Sequence, residues 1–194
     1  SFLAVQAAED AGDDNGARQA WSQWRQDHPN GRLASEAALR LAWLQLRHGE
    51  TAAAAAGMAA LAQAEPWLRS DDNWRRTQAT IGYLQGRPAD ALALLGPVPD
   101  DAAALYLAGL CEAAQGRPLP AAAAFRQVVV HFPHSPLRDA AQFAKANTFL
   151  AGGAWRSAAE DFAEVAGRAT DSDLVAEATI RRAVALHLDG DSET

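Results

Sequence analysis

The chain has 194 residues, 49% of them hydrophobic, one cysteine and a formal net charge of −7. An acidic chain without clustered Lys and Arg is a poor nucleic-acid binder, because affinity for the phosphate backbone comes from neutralising it. A lone cysteine excludes an internal disulfide, and no apolar run reaches the ~18 residues that span a bilayer. Much of the apolar share is alanine, which enters helices at the least entropic cost, while Val and Ile are scarce, so the composition leans all-α.

Along the chain, glycines recur at Gly12, Gly49, Gly86, Gly116, Gly153 and Gly190, at intervals of 37, 37, 30, 37 and 37. Self-similarity at such a period signals a solenoid of stacked supersecondary units. Each glycine stands where a left-handed cap ends one helix and lets the chain reverse. Prolines mark the opposite turn: Pro29, Pro66 and Pro133 each lie 17 residues after a glycine. Proline cannot continue a helix and biases the preceding residue away from helical angles. Each unit therefore reads as helix, Gly turn, helix, Pro loop. Ser35, Ser70, Asp100, Ser135 and Asp171 or Ser172 are placed to cap the next first helix.

The offsets inside the units repeat as well. Five residues after a glycine comes a small residue (Ala17, Ala54, Ala91, Ala121, Ala158), and four later a large one (Trp21, Met58, Leu95, Phe125, Phe162). Three beyond that stand Trp24, Leu61, Val128 and Val165. Spacings of 4 and 3 put these on one helical face, which a single hairpin cannot bury alone. The third unit is seven residues short, and its second helix over 89–95 must stop before Gly96-Pro97. The sixth shows one helix over 174–188, ending at Gly190.

This order of small residue, aromatic, glycine, small, large and proline resembles the tetratricopeptide repeat. The clearest copy runs from Ala146 through Phe149, Gly153, Trp155 and Ala158 to Phe162; Leu105, Gly109, Gly116, Ala121, Phe125, Val128 and Pro133 form another. The 37-residue period and the Pro-Asn-Gly and Pro-x-Ser loops are similar to those of the bacterial TolA-binding-protein and outer-membrane-assembly-lipoprotein group. The resemblance implies a right-handed α-solenoid of about five and a half repeats and 11 helices. It makes the whole chain, 1–194, one solenoid, with repeats near 1–31, 34–67, 70–99, 100–134, 136–170 and 172–190. Gln78 and Lys145 depart from the family's apolar pattern, which implies looser joints there.

No catalytic constellation emerges. His131 and His134 flank Pro133 in a loop and lack the remaining ligands of a zinc site. Cys111 lies in an apolar stretch and reads as a small buried residue. Ala151-Gly152-Gly153-Ala154 lacks the strand and the lysine of a phosphate loop. No metal, cofactor or catalytic residue is therefore expected, and the protein is not expected to be an enzyme.

What the resemblance implies instead is a concave face lined by the first helices. Its inward positions are Leu39, Trp43, Leu46 and Arg47 in the second unit, Arg76 and Tyr83 in the third, and Tyr106 and Leu110 in the fourth. The fifth adds Phe143, Asn147 and Leu150, and the sixth His187. Aromatic residues and Arg dominate binding hot spots. The expected function is a scaffold or adaptor that holds a peptide or helix of a protein partner in this groove, with Arg47 and Arg76 taking an acidic group. The family resemblance sets it in a bacterial cell-envelope complex, periplasmic or envelope-associated, with the cytoplasm as the alternative. It is expected to bind no nucleic acid and to insert in no membrane. The rival readings are a superhelical segment of a larger cell-wall enzyme and a self-associating homo-oligomeric array.

Overall fold

The first five glycines of the rhythm behave as their positions require. In the computed structural model, Gly12, Gly49, Gly86, Gly116 and Gly153 all have φ between +69° and +80°. The structure describes residues 5–6, 12–29, 33–96 and 101–192. Among these, every regular element is helical: α1 (Asp14–Asp27), α2 (Ala34–Arg47), α3 (Thr51–Ala64), a 3-10 turn (Pro66–Ser70), α4 (Asp72–Leu84), α5 (Pro88–Leu95), α6 (Ala102–Ala114), α7 (Pro118–His131), α8 (Arg138–Ala151), α9 (Trp155–Arg168) and α10 (Ser172–Ser192). The expected helix ahead of Gly12 falls largely outside the described residues.

The turn chemistry is uniform. After α2, Gly49 N–H donates to Leu46 and Glu50 N–H to the Gln45 carbonyl; after α6, Gly116 and Arg117 do the same to Ala113 and Glu112. This paired capping satisfies the last carbonyls of the helix and needs a left-handed residue at its centre, a conformation costly for any side chain with a Cβ. Gly190 is different. It has no positive φ and lies inside α10, which runs on to Ser192.

Caps fall at several positions other than those expected. Asp71 accepts from Trp74 N–H and caps α4 in place of its neighbour Ser70; Asp101 accepts from Ala104 N–H at the start of α6, and the expected cap Asp100 lies outside the described residues. Ser35 lies within α2 and donates to Glu65 Oε2 at 2.7 Å, while Ser135 accepts from Leu137 N–H in the turn before α8. Asp171 caps α10, accepting from Asp173 and Leu174.

The chain forms two compact units, residues 1–94 and 95–194. Successive helices pack on one another, α1 on α2, α2 on α3 and α3 on α4 in the first unit and α6 through α10 in turn in the second, and the short turns make neighbours antiparallel. Unit 1 buries Trp21 against Ala37, Leu41 and Leu44, and Met58 and Leu61 against Leu39, Ala42, Leu46 and Trp74. Unit 2 buries Phe125 and Val128 of α7 with Leu105 and Ala141, and Phe162 and Val165 of α9 with Ala146, Ala178 and Ala185. The alternation of small and large residues thus becomes interdigitation: a large residue of the second helix sits over a small one of the first.

Gly109 shows how tight this is. A Cβ there would meet the Phe125 ring at 2.5 Å, so this buried ring would have to leave its packed position. Alanine in a helix interior ordinarily stabilises by ~0.5–1 kcal/mol relative to glycine. Gly57 in α3 has nothing within 4 Å of such a Cβ. Gly57→Ala is therefore expected to raise the urea midpoint, whereas Gly109→Ala overpacks the core and lowers stability by about 1–3 kcal/mol.

Candidate functional site

Expected groove residues in unit 1 divide by burial. Leu39 and Leu46 are 7% and 9% exposed and belong to the core with Met58 and Ile81, so they offer no binding surface. They lie on the edge of α2 that the next hairpin covers, which corrects the expectation for these two. Trp43 is half-buried and packs against that same core. Arg47 is exposed, with Nη2 3.0 Å from Asp14 Oδ2, so a carboxylate of the chain itself already holds it. Arg76 and Tyr83 are half-buried on α4, and Arg76 Nη2 donates to Asn73 Oδ1 at 2.7 Å. Trp74 on α4 is core at 8% exposure, and Trp67 in the 3-10 turn is 64% exposed.

Unit 2 carries a defined cleft. Its walls come from two successive first helices, Leu110 and Ala113 of α6 and Ala144, Asn147 and Ala151 of α8, with Phe125 of α7 as the floor. Its volume is about 450 Å³ and its lining is predominantly apolar. That size falls within the ~300–1,000 Å³ of small-ligand pockets and suits a large apolar side chain. Alanines at the mouth create the space, because the same helix positions with larger residues would fill it. The cleft brings together two of the expected residues, Leu110 and Asn147.

The other expected residues of unit 2 lie beside the cleft rather than in it. Tyr106 is half-buried, its ring 5.6 Å from that of Phe125. Phe143 stands 5.5 Å from Phe162 in an edge contact, and Leu150 packs against the same core. These side chains have one flank in the core and one outside it. His187 is exposed on α10.

Arg181 was not expected at the site. It reaches from α10 to donate to Asn147 Oδ1 at 2.8 Å, lies 5.6 Å over the Phe143 ring and bonds Glu177 through Nε. With its oxygen engaged in this way, Asn147 keeps its N–H donors for an acceptor on a ligand. No local pattern links Arg181 to Asn147, 34 residues earlier in the chain.

Behind the cleft, α8 and α9 meet through a polar stripe. Lys145 Nζ lies 3.1 Å from Asp161 Oδ1, Gln142 donates to Asp161 at 2.8 Å and to Glu164 at 3.0 Å, and Arg138 bridges Asp139 and Glu164. Lys145 and Asp161 are only 15% and 14% exposed. Desolvation by burial raises the Asp161 pKa above the ordinary carboxylate value, against the opposing pull of Lys145. Lys145 was expected to loosen this joint; its ion pair pins the joint instead. Asp161 Oδ2 and Gln142 Oε1 stay without a hydrogen-bond partner.

Cys111 is buried and its thiol pushed up to about 11, first by desolvation and then by Glu112, which suppresses the thiolate needed for nucleophilic attack. His131 and His134 are exposed at the end of α7 and in the turn beyond. Among the described residues no group of three or more His, Cys, Asp and Glu side chains could hold a metal. No helix among them is long and apolar enough to cross a membrane.

Helix hairpins with glycine turns, stacked so that large residues of one helix fill gaps over small residues of another, define the helical-repeat class of proteins. Residues 103–135, spanning α6, α7 and the turn after them, match the sequence profile of the tetratricopeptide repeat family. Repeats of that family in general mediate protein–protein interaction. No curated protein sequence matches the chain.

Proposed function

We propose that this protein is an interaction scaffold that captures a peptide or helix of a partner protein, seating a large apolar side chain in the cleft between α6 and α8. The observation that carries this reading is the cleft itself, an apolar recess of about 450 Å³ with Asn147 on its wall. Burying a large apolar side chain contributes about 1.5–3 kcal/mol. The Asn147 amide then fixes the register of the bound backbone by donating to a carbonyl. The placement in a bacterial cell-envelope complex rests on the resemblance of the repeat period and loop motifs to envelope relatives.

Selection of a random peptide display library on the immobilised chain tests this. Enriched peptides are expected to share a large apolar residue and to lose about tenfold or more in affinity on Ala113→Trp, which fills the cleft mouth, and a smaller factor on Asn147→Ala. Both variants keep the native helical signal, since Ala113 is exposed and Asn147 half-buried. Enriched peptides that bind the Ala113→Trp variant as well as the parent would defeat the proposal.

A further inference from the structure

The cleft between α6 and α8 has a counterpart one repeat on, between α8 and α10, and there the chain fills the gap with its own side chains. The two gaps share a register offset by 37 residues. Tyr106 meets Phe125 with ring centroids 5.6 Å apart, and Phe143 meets Phe162 at 5.5 Å. At the same offset Ala113 of the cleft corresponds to Leu150, and Ala144 to Arg181. Leu150 packs against the core that Phe162 anchors. Arg181 crosses from α10 to α8, its guanidinium 5.6 Å over the Phe143 ring and its Nη1 2.8 Å from Asn147 Oδ1. Alanine at both cleft positions leaves open the space that a leucine and an arginine fill in the next repeat.

The filled gap is a template for the occupant of the open one. A large apolar side chain takes the place of Leu150. An arginine takes the place of Arg181, its stem crossing Ala144 and its planar guanidinium lying on the outer flank of Tyr106, the counterpart of Phe143. Charge is complementary. The chain carries −7, which draws cationic partners, and the basic residues flanking the cleft are each held by a carboxylate of the chain: Arg117 by Glu112, Lys145 by Asp161 and Arg181 by Glu177. We propose that the partner segment pairs its large apolar side chain with an arginine that stacks on Tyr106, an inference that rests on the cleft being the partner site. Tyr106 stands one helical turn before Leu110, so about 6 Å separate the two subsites. That distance sets the arginine four positions from the apolar residue in a helical segment, or two in an extended one. The counterpart of Glu177 is Ala140, so the guanidinium keeps water on its outer side and contributes as an exposed cation–π contact.

The probes are labelled synthetic copies of the peptides selected on the immobilised chain, and the same peptides with citrulline, a neutral isostere, in place of arginine. Binding to the full chain is read by fluorescence anisotropy. Enriched peptides are expected to carry arginine at the stated spacing from the large apolar residue, and citrulline is expected to weaken them about threefold to fivefold. Tyr106→Leu keeps a side chain packed on Phe125 but removes the π face. It should weaken the arginine peptide by about the same factor and leave the citrulline peptide unchanged, a non-additivity that loss of packing alone does not produce. Ala144→Arg supplies the arginine from the chain itself and should likewise make the two peptides bind alike. Both positions are half-buried, and circular dichroism of both variants is expected to stay native. Peptides that Ala113→Trp blocks but that lack arginine at this spacing, or that bind as tightly with citrulline, overturn the inference and leave the cleft reading standing. Peptides indifferent to Ala113→Trp overturn both.

Discussion

Phe162→Ala is expected to destabilise the protein by about 3–5 kcal/mol in urea unfolding, the largest loss foreseen for any single substitution here. Phe162 is fully buried, and Ala146 and Ala178 line part of the space that its ring fills. Alanines cannot swing a side chain into the void, so the cavity stays. Phe143, in edge contact with the ring, loses that contact as well. Val165→Ala, one turn on and equally buried, removes fewer methylene equivalents and should cost roughly 1–3 kcal/mol. Equal losses for the two would mean that the ring is not wedged between first helices as described.

The polar stripe between α8 and α9 gives the second large effect. Lys145→Met is expected to cost about 3 kcal/mol, the lower end for breaking a buried pair, because Asp161 keeps some contact with water. Asp161→Asn should cost less, since the amide still accepts from Lys145 and its N–H can reach the unpartnered Gln142 oxygen. The two differ in pH dependence too. Burial raises the folded-state pKa of Asp161. A carboxyl raised in this way contributes stability that is present below its unfolded pKa and is lost as the pH climbs through the folded one. Asparagine has no such loss. Relative to the parent, Asp161→Asn should therefore gain stability from pH 4 to pH 7, read by urea midpoints across that range. A relative loss over the same range would show that the Lys145 attraction outweighs the desolvation of Asp161.

The glycine rhythm was enough to place the turns, because a left-handed residue is needed wherever a helix reverses in so short a span, and glycine takes that conformation without a Cβ penalty. It failed at Gly190, where neither φ nor capping distinguishes the residue from any other in α10. The offsets of Ala146, Phe162 and Val165 announced their packing, since 4 and 3 spacings align on one face. Leu39 and Leu46 have much the same local pattern as Leu110, yet the first two are core and the third lines a cleft. Periodicity marks a stripe on a helix but says nothing about the size of the side chains facing it from the next hairpin. For Leu110 those include Ala144 and Ala151, and they leave a gap.

Lys145 illustrates the same limit for charge. Read alone, a lysine at an apolar position is a defect; only the arrival of Asp161 from the following helix makes it a clasp. Local chemistry, in short spacings and turn residues, determined that this chain forms helical hairpins and where each one reverses. Which faces became core, which pair of charges met and where a recess was left open depended on contacts between residues sixteen or more positions apart. Those contacts are set by the volumes and charges of both surfaces at once, and no single stretch of sequence contains both.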